Sequence, residues 1–310
     1  MDNNNKEKNF ASAVVYMHND AGRVADFIGD LDRTLADNFL KYEIIVVNDF
    51  STDEGAAELK RQIAGTDRGV VTLLNMSYHH GVESAMNAGV DLSIGDFVFE
   101  FDTMDSDFPW ETLMEIYRHS LTGYDIVNAC SNVGRPGVGS RGFYWLMNKY
   151  ADLQYDIEPE TFRVLSRRAV NRIHDLSKSI PYRKASYANC GLKMATKSYE
   201  STGKAAKKKR KGKLDLALTS LILFTDVAFR AAVTIALCMV AITIGVAIYA
   251  LVYRIFGEPV EGWTTTILFL SFSFCCLFVI MAMVLKYLST LVRLNFLKKT
   301  YVFESIEKLQ

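Results

Sequence analysis

Five short apolar runs mark the first half of the chain: Ala13–Met17, Tyr42–Asn48, Val70–Asn75, Phe97–Phe101 and Tyr124–Ala129. Runs of this length, rich in Val, Ile and Phe, predict strands buried on both faces. Between them, Ala21–Asp37, Asp53–Ala64, Val82–Ser93 and Pro109–Leu121 carry apolar residues at helical spacing. Strands alternating with helices predict an α/β domain whose mostly parallel sheet is covered on both sides. In such sheets ligands bind beyond the carboxyl ends of the strands.

The second half follows a different pattern. Residues 231–253 and 263–285 form two charge-free runs of 23 residues each. A helix of that length reaches about 34 Å, against a hydrocarbon core of about 30 Å. Two transmembrane helices are expected. The loop between them, Arg254–Gly262, holds one base and two acids, Glu258 and Glu261. The outer flanks are basic: seven Lys and Arg residues lie in 204–213, and Lys286, Arg293, Lys298 and Lys299 follow the second run. The positive-inside rule then places both termini and residues 1–230 in the cytoplasm. Residues 214–230 read as an interfacial helix behind a basic stretch suited to anionic headgroups. The expected organisation is a domain over 1–200, a basic linker and interfacial helix over 201–230, the hairpin over 231–285 and a cytoplasmic tail over 286–310.

Composition narrows the function classes. Lys+Arg and Asp+Glu are both 35, so no net basic charge argues for a nucleic-acid partner. The five cysteines are odd in number and include no CxxC pair, which argues against a disulfide framework and a zinc knuckle. The first ten residues are polar and carry no leader-like apolar stretch. The five histidines show no metal-ligand spacing.

Candidate chemistry collects at the predicted carboxyl ends. The first strand runs into His18-Asn19-Asp20, the second into Asn48-Asp49, and the fourth into Asp102, Asp105 and Asp107. No GxGxxG follows the first strand and no P-loop is present, which removes support for dinucleotide redox chemistry and P-loop hydrolysis. Three carboxylates within six residues repel one another unless a cation shares the site. Mg²⁺ or Mn²⁺ bridging a diphosphate is the expected occupant. Local roles are also open: Ser51-x-x-Glu54 fits a capping box, and Asp107 ahead of Pro109 fits a helix cap.

The residues resemble the family-two glycosyltransferases, above all those acting on polyprenyl phosphates. Val14–Asp20 is similar to the VxPxYNE strand, Tyr42–Asp53 to the VDDGSTD motif and Gly81–Asp96 to GxxxAxxxGxxxAxGD. Asp102 falls at the DxD position. Phe143-Tyr144 with Asn148, the stretch Thr161–Arg168 and the two-span tail resemble the bactoprenol-linked branch. The resemblance implies a Rossmann-like, GT-A type domain that moves sugar, with inversion, from a nucleotide-sugar donor to a polyprenyl phosphate at the membrane. It places the donor's base and ribose against Asp20, Asn48 and Asp49, and the metal and diphosphate near Asp102. Arg163 and Arg167 then face phosphates, Arg141 serves the acceptor phosphate, and a homo-oligomer is among the expected assemblies. Tyr16, Asn48, Met104 and Thr161 depart from the motifs, and a thioether is a poor Mg²⁺ ligand. Transfer to a lipid-linked glycan, and a non-catalytic binder of nucleotide sugar, stay open as alternatives.

Overall fold

The computed structural model describes residues 6–64, 69–132, 138–151, 153–176, 182–203, 227–257, 262–295 and 301–309. These fall into two compact units, one built on a sheet and one on two long helices. In the first, strands and helices alternate as expected. They are β1 (Ala11–Met17), α1 (Val24–Asn38), β2 (Tyr42–Asn48), α2 (Gly55–Ile63), β3 (Val70–Met76), α3 (Val82–Leu92), β4 (Phe97–Phe101), α4 (Glu111–Leu121) and β5 (Ile126–Ser131). There follow α5 (Val138–Tyr150), β6 (Phe162–Ser166), α6 (Arg167–Leu176), α7 (Arg183–Ala188), β7 (Met194–Tyr199) and, from the far end of the chain, β8 (Phe303–Lys308).

The sheet order is β7-β5-β6-β4-β1-β2-β3-β8. Strands β4, β1, β2 and β3 run parallel to one another, whereas β6 is antiparallel to β4 and β5, and β8 is antiparallel to β3. Every residue of β1 and β2 is buried, as expected of strands covered on both faces. Helix α1 buries Val24, Phe27, Ile28, Leu31 and Leu35, the stripe its periodicity predicts. Glu43, buried in this core, is satisfied: it accepts from Ser12 Oγ at 2.5 Å and from the Ile94 amide at 2.8 Å. Gly95 is required where α3 returns to the sheet, because a Cβ there would lie 2.6 Å from the Ser12 backbone nitrogen.

The expected tail contains a strand of the same sheet. Residues 303–308 cover the β3 edge as β8, and an edge left open would invite pairing with other chains.

The second unit carries α8 (Val227–Phe256) and α9 (Trp263–Asn295). Within them, Val233–Phe256 and Trp263–Leu288 have mean hydropathies of 2.6 and 2.7, and both are long and apolar enough to cross a membrane. Only 6% of each is buried, so these are not core helices of a soluble domain. The basic stretch and most of the expected interfacial helix, residues 204–226, lie outside the described residues.

Candidate active site

The carboxyl ends of β1 and β2 meet at Asp49, whose side chain is fully buried. Its amide donates to Met17 O at 2.9 Å, continuing the parallel ladder by one bond. Its carboxylate accepts from Tyr16 Oη at 2.9 Å, from the amide of Gly81 at 2.9 Å and from that of His80 at 2.8 Å. His79 Nδ1 lies 2.9 Å from the same carboxylate, and His18 Nδ1 lies 2.7 Å from the Asp49 carbonyl oxygen. Tyr16, which stands at the motif's proline position, thus supplies a phenol that orients Asp49.

Asn48, the other departure on this edge, donates to Asn75 Oδ1 at 3.0 Å and accepts from the Ser51 amide at 3.1 Å. An acid could not make both bonds while ionised. The two connecting loops carry backbone in the left-handed region, Asn19 at φ +54° and Phe50 at φ +55°. Asn tolerates this conformation; a Phe there is an outlier of the kind that collects at functional sites.

Two local expectations are corrected. Ser51 and Glu54 do not form a capping box: Ser51 Oγ accepts from the Asn19 amide, and Asp53 accepts from Gly55 N at the start of α2. Asp107 does not cap α4, because its carboxylate accepts from Tyr199 Oη at 2.7 Å.

The second focus is the end of β4. Antiparallel pairing sets Arg163 of β6 opposite Glu100. Arg163 binds Asp102 Oδ2 at 2.8 Å and pairs with Glu100 at 3.1 Å and Glu160 at 2.7 Å. Arg183, at the start of α7, donates to Glu100 at 2.7 Å, to Glu83 at 3.1 Å and to the other oxygen of Asp102. Tyr187 Oη closes the network on Glu100 at 2.6 Å. Burial pushes the Asp102 carboxyl upward, but Arg183 and Arg163 outweigh it and hold the group below the usual range. At Glu100 burial wins over the same two arginines and the pKa rises.

The expected phosphate ligands are therefore relocated. Arg163 is 1% exposed and committed to three carboxylates, so it positions Asp102 and does not face a ligand phosphate. Arg167 lies at the other end of the sheet, because β6 runs against β4: it donates to Gly95 O at 2.8 Å and Ser93 Oγ at 3.2 Å, beside the start of β4. Arg141 lies exposed in the first turn of α5. Asp20 pairs with Arg23, which also donates to Asp105 at 2.8 Å. Arg23 is the partly exposed cation of this edge, and its periodicity-neutral place before α1 gave no signal for it. Arg183 carries no local sequence signal either, although Glu100 inside a buried strand requires a cation as partner.

The acidic turn does not fit the expected Mg²⁺ or Mn²⁺. Both oxygens of Asp102 are taken by arginines, Asp105 is paired with Arg23, and Asp107 serves Tyr199 and Ser201. Met104 turns into the core, 4% exposed. The cations that relieve the repulsion are the protein's own. Among the described residues, the group whose ligand atoms are close enough to share an ion is His18, Asp49 and His79.

Comparison with known proteins places this fold and its acidic edge. Residues 12–174, just over half of the chain, match the model of glycosyl transferase family 2, and the chain belongs to that family. An uncharacterised glycosyltransferase of Synechocystis sp., sll0501, is 28% identical over 187 residues, 59% of this chain and 58% of its own length. The undecaprenyl-phosphate 4-deoxy-4-formamido-L-arabinose transferase of Edwardsiella ictaluri is 35% identical over 123 residues, 38% of this chain and 36% of its own. The chain thus spans less than two thirds of the length of these relatives. Among solved structures, a mannosyltransferase from Pyrobaculum calidifontis, in complex with GDP-Man and Mn²⁺, superposes with TM-score 0.50 at 16% identity. That match covers 70% of this chain and 63% of the other, and it establishes the shared GT-A-like fold.

Proposed function

We propose that the protein transfers a sugar, with inversion, from a nucleotide-sugar donor to a polyprenyl phosphate at the cytoplasmic face of a membrane. The observation that carries this reading is the joining, in one chain, of a family 2 domain to two helices long and apolar enough to span a bilayer. A polyprenyl tail partitions into lipid while its phosphate stays at the surface. A domain anchored there meets its acceptor at raised effective concentration. Relatives named for transfer involving undecaprenyl phosphate support the same acceptor class.

In this reading Asp20 and Asn48 border the base and ribose, Asp49, fully buried, holds the loop carrying His80 and Gly81 beside them, and Asp102 borders the diphosphate. An acceptor phosphate oxygen attacks the anomeric carbon while the bond to the donor diphosphate breaks, releasing nucleoside diphosphate. A phosphate monoester is largely anionic near neutral pH, so the step needs little general-base help. The chain's contribution is placement, together with charge at the departing group. Arg163 and Arg183 fix Asp102, Arg23 offers a partly exposed guanidinium at the same edge, and Arg141 is the candidate for the acceptor phosphate.

The test is nucleoside diphosphate release by full-length protein in detergent, across UDP- and GDP-sugars, with and without undecaprenyl phosphate. Release with one donor that depends on the lipid is expected. Release at equal rate without lipid would sink the acceptor assignment.

A further inference from the structure

His18 and His79 come from loops far apart in the sequence, yet their rings approach to 4.3 Å between centroids, tilted by 33°. Both stand against Asp49, and ligand atoms of the three residues lie within 4.8 Å of one another. We propose that His18, Asp49 and His79 form a binding site for a first-row transition-metal dication such as Zn²⁺ or Co²⁺, separate from the acidic turn after β4.

The donor set decides the class of ion. Two imidazoles and one carboxylate suit Zn²⁺, Co²⁺ and Ni²⁺, whereas Mg²⁺ prefers oxygen and keeps its waters. The supporting bonds are those a metal site needs. The Asp49 carboxylate is fixed by Tyr16 Oη and the Gly81 amide at Oδ2 and by the His80 amide at Oδ1. The His18 ring is fixed by the bond between its Nδ1 and the Asp49 carbonyl, which leaves Nε2, now 3.3 Å from Asn19 Nδ2, as the nitrogen an ion would take in place of that amide. A second hydrogen bond of this kind sets the tautomer and orientation of metal-bound histidines.

His79 Nδ1 stands 2.9 Å from Asp49 Oδ2. At metal–ligand distances of about 2.0–2.1 Å, adjacent ligand atoms are separated by about 3 Å, so an ion can replace the proton now shared between them. On binding, the His79 proton moves to Nε2 and the ring stays neutral; no redox step is involved. The exposed side of His79 leaves the remaining coordination positions to water.

The simpler account is a hydrogen-bonded His79–Asp49 pair that binds no metal. Chelator-treated full-length protein in detergent, titrated with Co²⁺, distinguishes the two. Equilibrium dialysis counts the ion, and its visible ligand-field bands report nitrogen coordination. One Co²⁺ per chain is expected, displaced by Zn²⁺ and not by Mg²⁺. Affinity should fall at least about tenfold in His79→Ala and in His18→Ala, while Asp105→Asn leaves it unchanged. His79 is exposed, so its substitution spares the core, and the melting temperature of each variant checks folding. Absence of stoichiometric Co²⁺, or an affinity in either histidine variant equal to that of the unaltered chain, would overturn the proposal. The readout is ion binding by the chain itself, so it stands or falls independently of the transfer reaction.

Discussion

The backbone N–H of Val302 donates to Nε2 of His80 across 3.1 Å, joining the C-terminal strand to the loop that holds Asp49. The Ser77 amide returns a bond to Val302 O at 3.2 Å, and Asn75 donates to Ser305 and Glu307 at 3.0 Å each. Asn75 is also the partner of Asn48. Residues arriving from beyond the second long helix therefore brace both sides of the candidate donor site.

Replacing Val302 by Pro removes the donated N–H. A hydrogen bond of this kind contributes about 0.5–1.5 kcal/mol, so the donor KM is expected to rise up to about tenfold with kcat little changed. Steady-state kinetics on the purified variant measures this. An unaltered donor KM would show that the bond does not position the loop.

Asp102 and Arg183 are partners in a buried network, and removing either strands the rest. Asp102→Asn and Arg183→Ala are each expected to lower stability by about 3–5 kcal/mol, visible as a lower melting temperature. The pH dependence has a definite sign. The folded pKa of Asp102 is depressed, so its contribution is complete above about pH 4 and is lost as pH falls through the lower folded value. The Asn variant should lack that acid-side loss. Unchanged melting with abolished turnover would assign Asp102 a direct contact with substrate instead.

Phe50 holds a left-handed backbone conformation with half of its surface exposed. A non-glycine residue in that region costs about 1–2 kcal/mol, which Gly avoids, offset in part by glycine's larger entropy loss on folding. Phe50→Gly is expected to raise stability by about 1 kcal/mol in thermal denaturation. A fall in stability would mean that the ring makes contacts worth more than the strain.

The Cys130 thiol is pushed up to about 12 by burial, with Glu160 and Glu158 adding to the effect. It is expected to resist alkylation near neutral pH until the domain unfolds, because the thiolate is the reactive form. Mass spectrometry of protein treated with iodoacetamide checks this, and rapid labelling of Cys130 in the folded state would contradict it.

Much of this architecture is legible in residue order. The buried runs around β1 to β5 and the amphipathic stripe of α1 announce themselves through periodicity, and the two long helices through the absence of charge. What was not legible depends on pairing at long range. Strand β8 has alternating, half-polar residues, and only the open edge of β3 makes it a strand. Arg163 and Arg167 sit four apart, a spacing that invites one role for both. The antiparallel direction of β6 sends Arg163 towards Asp102 and leaves Arg167 near Asp96. The carboxylates of the acidic turn were legible as a charge problem, but its solution lay in Arg23 and Arg183, which no local pattern marks.

The most direct test of the central claim is the product itself. Full-length protein in detergent would be given the donor that supports release, labelled in its sugar, together with undecaprenyl phosphate. A labelled glycolipid that is cleaved by mild acid, with anomeric configuration opposite to that of the donor, is the predicted result. A glycolipid stable to mild acid, or one retaining the donor's configuration, would contradict it.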